Sequence, residues 1–352
     1  MKRIFFILSV VAVLLIGGVG AWLAVDFYHF RQTPVNVSGD GLRYVINRGD
    51  NLTRVSRELY TANVIEHPRY LVWLGKLEGT ANDIKTGEYL FKPGTTADQL
   101  LEQIVAGDTI QYTETIVEGW NFREMMAALE KNEHLEHTLK GLKPSQVMEK
   151  LGKAGVHPEG RFLPDTYHFP RGTTDVAFLN RAYDAMEKTL AEVWEQRQQD
   201  LPLKKPYDAL ILASIVEKET AVPSERRAIA GVFVRRLQKR MRLQTDPTVI
   251  YGLGEKFDGN LRKRDLVNDT PYNTYRHRGL PPTPIAMPGI DALKAAVNPA
   301  EGDALYFVAR GDGSHKFSAT LQEHNNAVIK YQLHGKARPF SSMPKVKNTS
   351  GH

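Results

Sequence analysis

Residues 208–220 read DALILASIVEKET, and two of them, Glu217 and Glu219, are acids that could exchange a proton with a substrate. At about 100° per residue, Leu212, Ile215, Val216 and Glu219 share one face of a helix. Glu217 falls roughly 160° from Glu219, near Ser214 on the more polar side. A carboxyl that continues an apolar stripe loses hydration, and its pKa rises. The partial negative charge of a helix C-terminus acts in the same direction. A Glu protonated near neutral pH is what a general acid for glycosidic cleavage requires. Geometry alone favours a plainer alternative, a Glu that snorkels out of the helix end or pairs with a nearby arginine.

Other polar segments offer groups that bind sugars through directional hydrogen bonds and ring stacking. Gln244, Thr245 and Asp246 form a polar turn stopped by Pro247, and Tyr272, Asn273, Thr274 and Tyr275 combine amide, hydroxyl and aromatic groups. Each could equally be a loop held by its own turn hydrogen bonds. Glu159 and Asp165 are further candidate cleft carboxylates, although Asp165 also suits a turn or helix cap. Arg226, Arg227, Arg235, Arg236, Lys239, Arg240 and Arg242 crowd one stretch and read as a solvated helix face. His315 follows the turn Gly311-Asp312-Gly313 and reads as structural. The chain has no cysteine, which excludes disulfides, thiolate metal sites and cysteine nucleophiles. With no phosphate loop and no metal-ligand motif either, neither a metal nor a cofactor is expected.

The elements that must position these residues are legible in outline. Lys2 and Arg3 precede an uncharged run from Ile4 to Val25. At about 1.5 Å per residue it is roughly 33 Å long, enough to cross a bilayer core and longer than the apolar region of a cleaved signal peptide. Trp22, Phe27, Tyr28 and Phe30 suit an interfacial aromatic belt. The charges before the run place residues 1–3 in the cytoplasm and the rest of the chain beyond the membrane, with Arg31 weakening the contrast. That location disfavours nucleic acid as the partner of a chain whose formal charge is +6.

After a connector over 26–40, a motif repeats. Gly49, Gly94 and Gly119 each end a short apolar segment and precede an amphipathic helix. The residues three, six and ten positions later are Leu52, Val55 and Leu59, then Ala97, Leu100 and Ile104, then Phe122, Met125 and Leu129. That spacing predicts one buried face per helix. The pattern is that of an α+β chain, with a small subdomain over 41–110, a linking α+β segment over 111–154, a larger domain over 155–335 and a disordered basic tail over 336–352.

The motifs EGRFLPDTY, ASIVEKET, RLQTDPTVIYGLG and DTPYNTYRHRGLPPTPIAMPG, long and in this order, resemble the endolytic murein transglycosylase family (MltG, or YceG-like). The first repeat unit and the helix after it also resemble a LysM domain, a β-α-α-β glycan-binding module. A structural domain without glycan affinity would read the same way. The family resemblance implies an anchor helix, a LysM-like region and a catalytic domain of lysozyme-like α+β type. It places the catalytic residue at the second Glu of Glu-Lys-Glu-Thr, which is Glu219, with the Gln244–Asp246 and Tyr272–Tyr275 segments beside the active cleft. Met287 stands where the family often has Asn before Pro-Gly, so that position is given no role. The resemblance further implies cutting of nascent peptidoglycan at the inner membrane, in association with peptidoglycan synthases. A membrane-tethered, non-catalytic glycan-binding scaffold is the rival reading.

Overall fold

In this computed structural model, which describes residues 2–333, the chain forms two compact units. The tail expected over 336–352 lies outside the described residues.

The first unit begins with α1 (Lys2–Gln32), which continues through Gln32 without a break. Its residues from Arg3 to Val25 are all exposed. Trp22 and Tyr28 are exposed too, but Phe27 and Phe30 pack against the core of the unit. Then come β1 (Leu42–Ile46), α2 (Leu52–Thr61), α3 (Pro68–Leu77), β2 (Gly87–Phe91) and α4 (Ala97–Ala106). The strands pair antiparallel, from Leu42 opposite Phe91 to Ile46 opposite Gly87. Tyr89 and Phe91 are fully buried beneath the helices, and the Tyr89 hydroxyl donates to the Lys85 carbonyl at 2.7 Å.

The repeated motif explains how three helices start. Gly49, Gly94 and Gly119 all have positive φ, between 80° and 92°, which glycine adopts without a Cβ clash. Two residues later Asn51, Thr96 and Asn121 cap the helices α2, α4 and α5 (Phe122–Leu129), each side chain accepting the N–H three residues on. All nine residues of the predicted faces are buried.

The second unit takes in residues 114–133, 137–167 and 174 onward. It reaches back past the boundary expected at 155 because Phe122 of α5 packs on Phe162, ring centres 5.8 Å apart. Of the short strand pairs, β3 (Gln111–Thr115) with β5 (Thr166–Pro170) and β4 (Leu135–Glu136) with β6 (Thr173–Thr174), most residues belong to the first unit, whereas α6 (Pro144–Lys150) belongs to the second. The helical core follows as α7 (Asp175–Glu195), α8 (Pro206–Glu219), α9 (Arg226–Gln238), α10 (Asp246–Leu253), α11 (Lys263–Val267) and α12 (Ile290–Val297). A hairpin of β7 (Tyr306–Ala309) and β8 (His315–Ser318) and a final helix α13 (Leu321–Tyr331) complete it. Ala209 to Val216 of α8 are buried without exception, enclosed by α7, α9 and α12. The helix therefore has no polar side. Ser214, expected on one, is fully buried; its hydroxyl donates to the Ile211 carbonyl at 2.7 Å and accepts the Ile285 N–H at 3.0 Å.

Candidate active site

Pro206 at the first helical turn supplies a preset φ without wasting a donor, and α8 runs through the core to end at Glu219. Thr220 is extended and buried, and its hydroxyl accepts the Val222 N–H at 3.0 Å, turning the chain away. Glu219 thus emerges where the central helix stops. Its carboxylate accepts a hydrogen bond from the Thr245 hydroxyl. Burial pushes the Glu219 pKa up to about 7; the Thr245 bond opposes the rise, nearby Asp246 adds to it, and His315 and Arg236 moderate it.

The turn that delivers Thr245 is rigidly made. Gln244 has φ of 52°, and its N–H reaches the Thr274 carbonyl at 3.2 Å. The Thr245 N–H donates to the Thr274 hydroxyl at 3.0 Å. Tyr275 donates to Asp246 at 2.6 Å, tying the two polar segments together beside Glu219. Thr245, Asp246 and Tyr275 therefore gather around this carboxyl, while the Gln244 side chain is exposed at the edge. Asn273 and Thr274 do not face an opening. Both are buried, and the Asn273 amide donates to the carbonyls of Leu266 and Asn268 at 3.0 and 2.6 Å.

Glu159 lies at a cleft of about 980 Å³ whose lining also includes Arg123, Lys218, Pro247, Tyr251 and Tyr272. It is only 3% exposed and accepts the Phe122 N–H and the Tyr251 hydroxyl, each at 3.0 Å. Burial raises its pKa to about 7 against both of those bonds. Lys218, Pro247 and Tyr272 line this cleft and adjoin the Glu219 cluster in sequence. The Tyr272 ring packs on Tyr251, centres 4.9 Å apart, and its hydroxyl bonds to Thr283 at 2.9 Å. Asp165 is exposed and caps its own turn, accepting the Thr166 N–H at 2.7 Å.

Two expectations are corrected. Glu217 is not on an exposed face: its side chain is 6% exposed, paired with Arg226 at 3.1 Å and accepting the Gly289 N–H at 2.9 Å. Burial outweighs these contacts and shifts its pKa upward. The arginine-rich stretch is a solvated face only in part: Arg227, Lys239, Arg240 and Arg242 are exposed, but the others are not. Arg226 and Arg236 are buried, and Arg227, Arg235 and Arg236 donate to carbonyls of residues 298–305. Arg236, close enough to Glu219 to moderate its pKa, reads in the sequence as part of the solvated face, although Ile229, Val232, Phe233 and Arg236 share one face of α9. His315 is in the predicted hairpin and bonds Glu225 at 2.7 Å. Tyr251, which holds Glu159, has no signal beyond its place in α10.

Comparison with known proteins places the chain among relatives of one kind. The model of the YceG-like family matches residues 44–330. The endolytic murein transglycosylase of Bacillus subtilis (strain 168) is 30% identical over 317 residues, spanning 85% of each chain. That of Streptococcus pneumoniae serotype 2 (strain D39 / NCTC 7466) is 26% identical over 363 residues, which are 93% of this chain and 65% of the streptococcal protein. A crystal structure of a yceG-like protein from Listeria monocytogenes aligns with a TM-score of 0.51 at 29% identity, covering 82% of this chain and 99% of that one.

Proposed function

Because the chain belongs to the YceG-like family, we propose that it is an endolytic peptidoglycan lytic transglycosylase with Glu219 as its proton donor and acceptor. The names of its relatives support the activity. The observation that carries the assignment of the acid is the Glu219 carboxyl, desolvated at the end of the core helix and held near neutral pKa beside Thr245.

Hydrolytic glycosidases generally use two carboxylates, one of them to activate water or attack the sugar. A lytic transglycosylase needs one. Protonated Glu219 gives its proton to the oxygen joining MurNAc to GlcNAc as the bond to MurNAc C1 breaks. The C6 hydroxyl of the same MurNAc attacks C1, and ionised Glu219 takes up the hydroxyl proton. The products are a GlcNAc end and a 1,6-anhydro-MurNAc end, with no water consumed. Thr245 orients the carboxyl. Asp246, Tyr275, Gln244, Tyr272 and Glu159 are the groups we assign to glycan binding, and Asn273 and Thr274 hold the loop.

In this reading α1 is a single inner-membrane anchor with Lys2 and Arg3 on the cytoplasmic side and the rest of the first unit and the second unit in the periplasm. The β1-α2-α3-β2 order of the first unit is compatible with a LysM-like module that holds the strand. Cutting close to the membrane acts on nascent strands and limits their length, which fits association with peptidoglycan synthases. The test is product mass. Detergent-solubilised protein incubated with purified glycan strands should release anhydro-ended fragments. Reducing ends would indicate a hydrolase, and intact strands a scaffold; either result would sink the proposal.

A further inference from the structure

The exposed surface of α3 is not wholly polar. Trp73 is 45% exposed and Leu77 is 75% exposed. They are four residues apart and so neighbours on one helical face. Arg69, one turn before Trp73, and Lys76, beside Leu77, are exposed as well. The adjoining face, with Tyr70, Leu71 and Leu74, is buried. Large apolar side chains flanked by basic ones on a short amphipathic helix are the composition of an interfacial membrane element. Scattered exposed apolar residues are ordinary, but this pair is not isolated from other apolar surface.

Phe27 of α1 lines the same groove as Trp73, Lys76 and Leu77, a space of about 330 Å³. Tyr70 joins the two helices: its ring meets Phe27 at 5.5 Å and Trp73 at 5.4 Å, and its hydroxyl donates to Asp26 at 2.7 Å. Phe27 is two residues beyond Val25, where the exposed apolar run ends, hence about 3 Å further along the helix axis. The headgroup layer on each side of a bilayer is roughly 5–8 Å deep. The groove therefore begins at the level of the headgroups if the apolar run fills the hydrocarbon core. Two nearby carboxylates that would oppose this are already engaged, Asp26 by Tyr70 and Glu78 by Arg31 at 3.4 Å.

We propose that Trp73 and Leu77 of α3, with Lys76 and Arg69 beside them, sit in the headgroup layer of the membrane that α1 crosses. This rests on the reading of α1 as an anchor. The first unit then has two contacts with the bilayer, the anchor and a flanking helix face, and is held at a fixed orientation to it. The indole and the Leu side chain enter the boundary of the acyl chains, while the two cations meet lipid phosphates.

The test uses the full chain in vesicles of phosphatidylethanolamine and phosphatidylglycerol at three to one. Because Trp22 and Trp73 are both exposed, Trp22→Phe and Trp73→Phe leave the fold intact, and each difference from the parent isolates one indole. The Trp73 emission should be quenched at least about twofold by a headgroup nitroxide lipid and be shielded from aqueous acrylamide. Lys76→Glu with Leu77→Glu should at least halve that lipid quenching. If lipid probes quench Trp22 but leave Trp73 untouched, the proposal is wrong and the anchor stands. That holds whether acrylamide reaches Trp73 or a second protein surface covers it. If no lipid probe quenches either indole, the anchor reading falls and the proposal with it.

Discussion

Glu217 and Glu219 lie two residues apart at the end of the same helix, yet one is locked to Arg226 and the Gly289 N–H and the other accepts the Thr245 hydroxyl. A carboxyl facing a guanidinium is tied into structure, whereas one facing Thr245 can keep a proton to give.

Glu219→Gln keeps the shape of the side chain and removes the proton. General acid–base catalysis contributes about 10²–10⁴-fold, so release of anhydro ends should fall by at least that factor while the circular dichroism spectrum is unchanged. In the parent protein the rate should decline as pH rises past about 7, where Glu219 ionises. A variant with near-normal turnover would move the acid elsewhere, with Glu159 the next residue to replace.

Glu217→Ala should act on stability. It leaves buried Arg226 with the more exposed Glu118 and Asp291 as partners, at 3.2 and 3.5 Å. Removing one partner of a buried pair costs about 3–5 kcal/mol; the remaining carboxylates should hold the loss near the lower end. Denaturant melts would show it, and an unshifted midpoint would mean the pair contributes little.

Thr245→Val removes the hydroxyl that favours the Glu219 carboxylate. The pKa of Glu219 should rise further, and the high-pH limb of the rate profile should move to higher pH. A limb that stays in place would show that another group sets it.

Glu159 supplies a linkage prediction. Its folded pKa of about 7 is above the ordinary value of 4.5, so the folded state binds the proton more tightly than the unfolded state. Its contribution to stability is full below pH 4.5 and is lost as pH rises through about 7. The shift corresponds to about 3 kcal/mol. Glu159→Gln should be less sensitive to pH across that window, and the difference between parent and variant melting curves at pH 5 and pH 8 measures it.

Local patterns were readable in the chain because their causes are local. Gly49, Asn51 and Leu52 carry within four residues the turn, the cap and the first buried position of a helix. The stripe that singles out Glu219 illustrates the opposite case. It assumes a helix with one wet face, and α8 has none over Ala209–Val216, so the lost hydration of that carboxyl follows from the whole unit and not from the period. Glu217 was misread because its partners come from α9 and from Gly289, 72 residues away. The arginines of α9 were misread for the same reason: residues 298–305 present bare carbonyls to them, which no spacing announces.

The placement of Glu219 on the best-buried helix of its unit has a consequence for how the protein can fail. The acid we propose is carried by the core helix itself, so it cannot persist once the body of the unit melts. In that reading heat inactivation should not lag behind the cooperative unfolding of the unit.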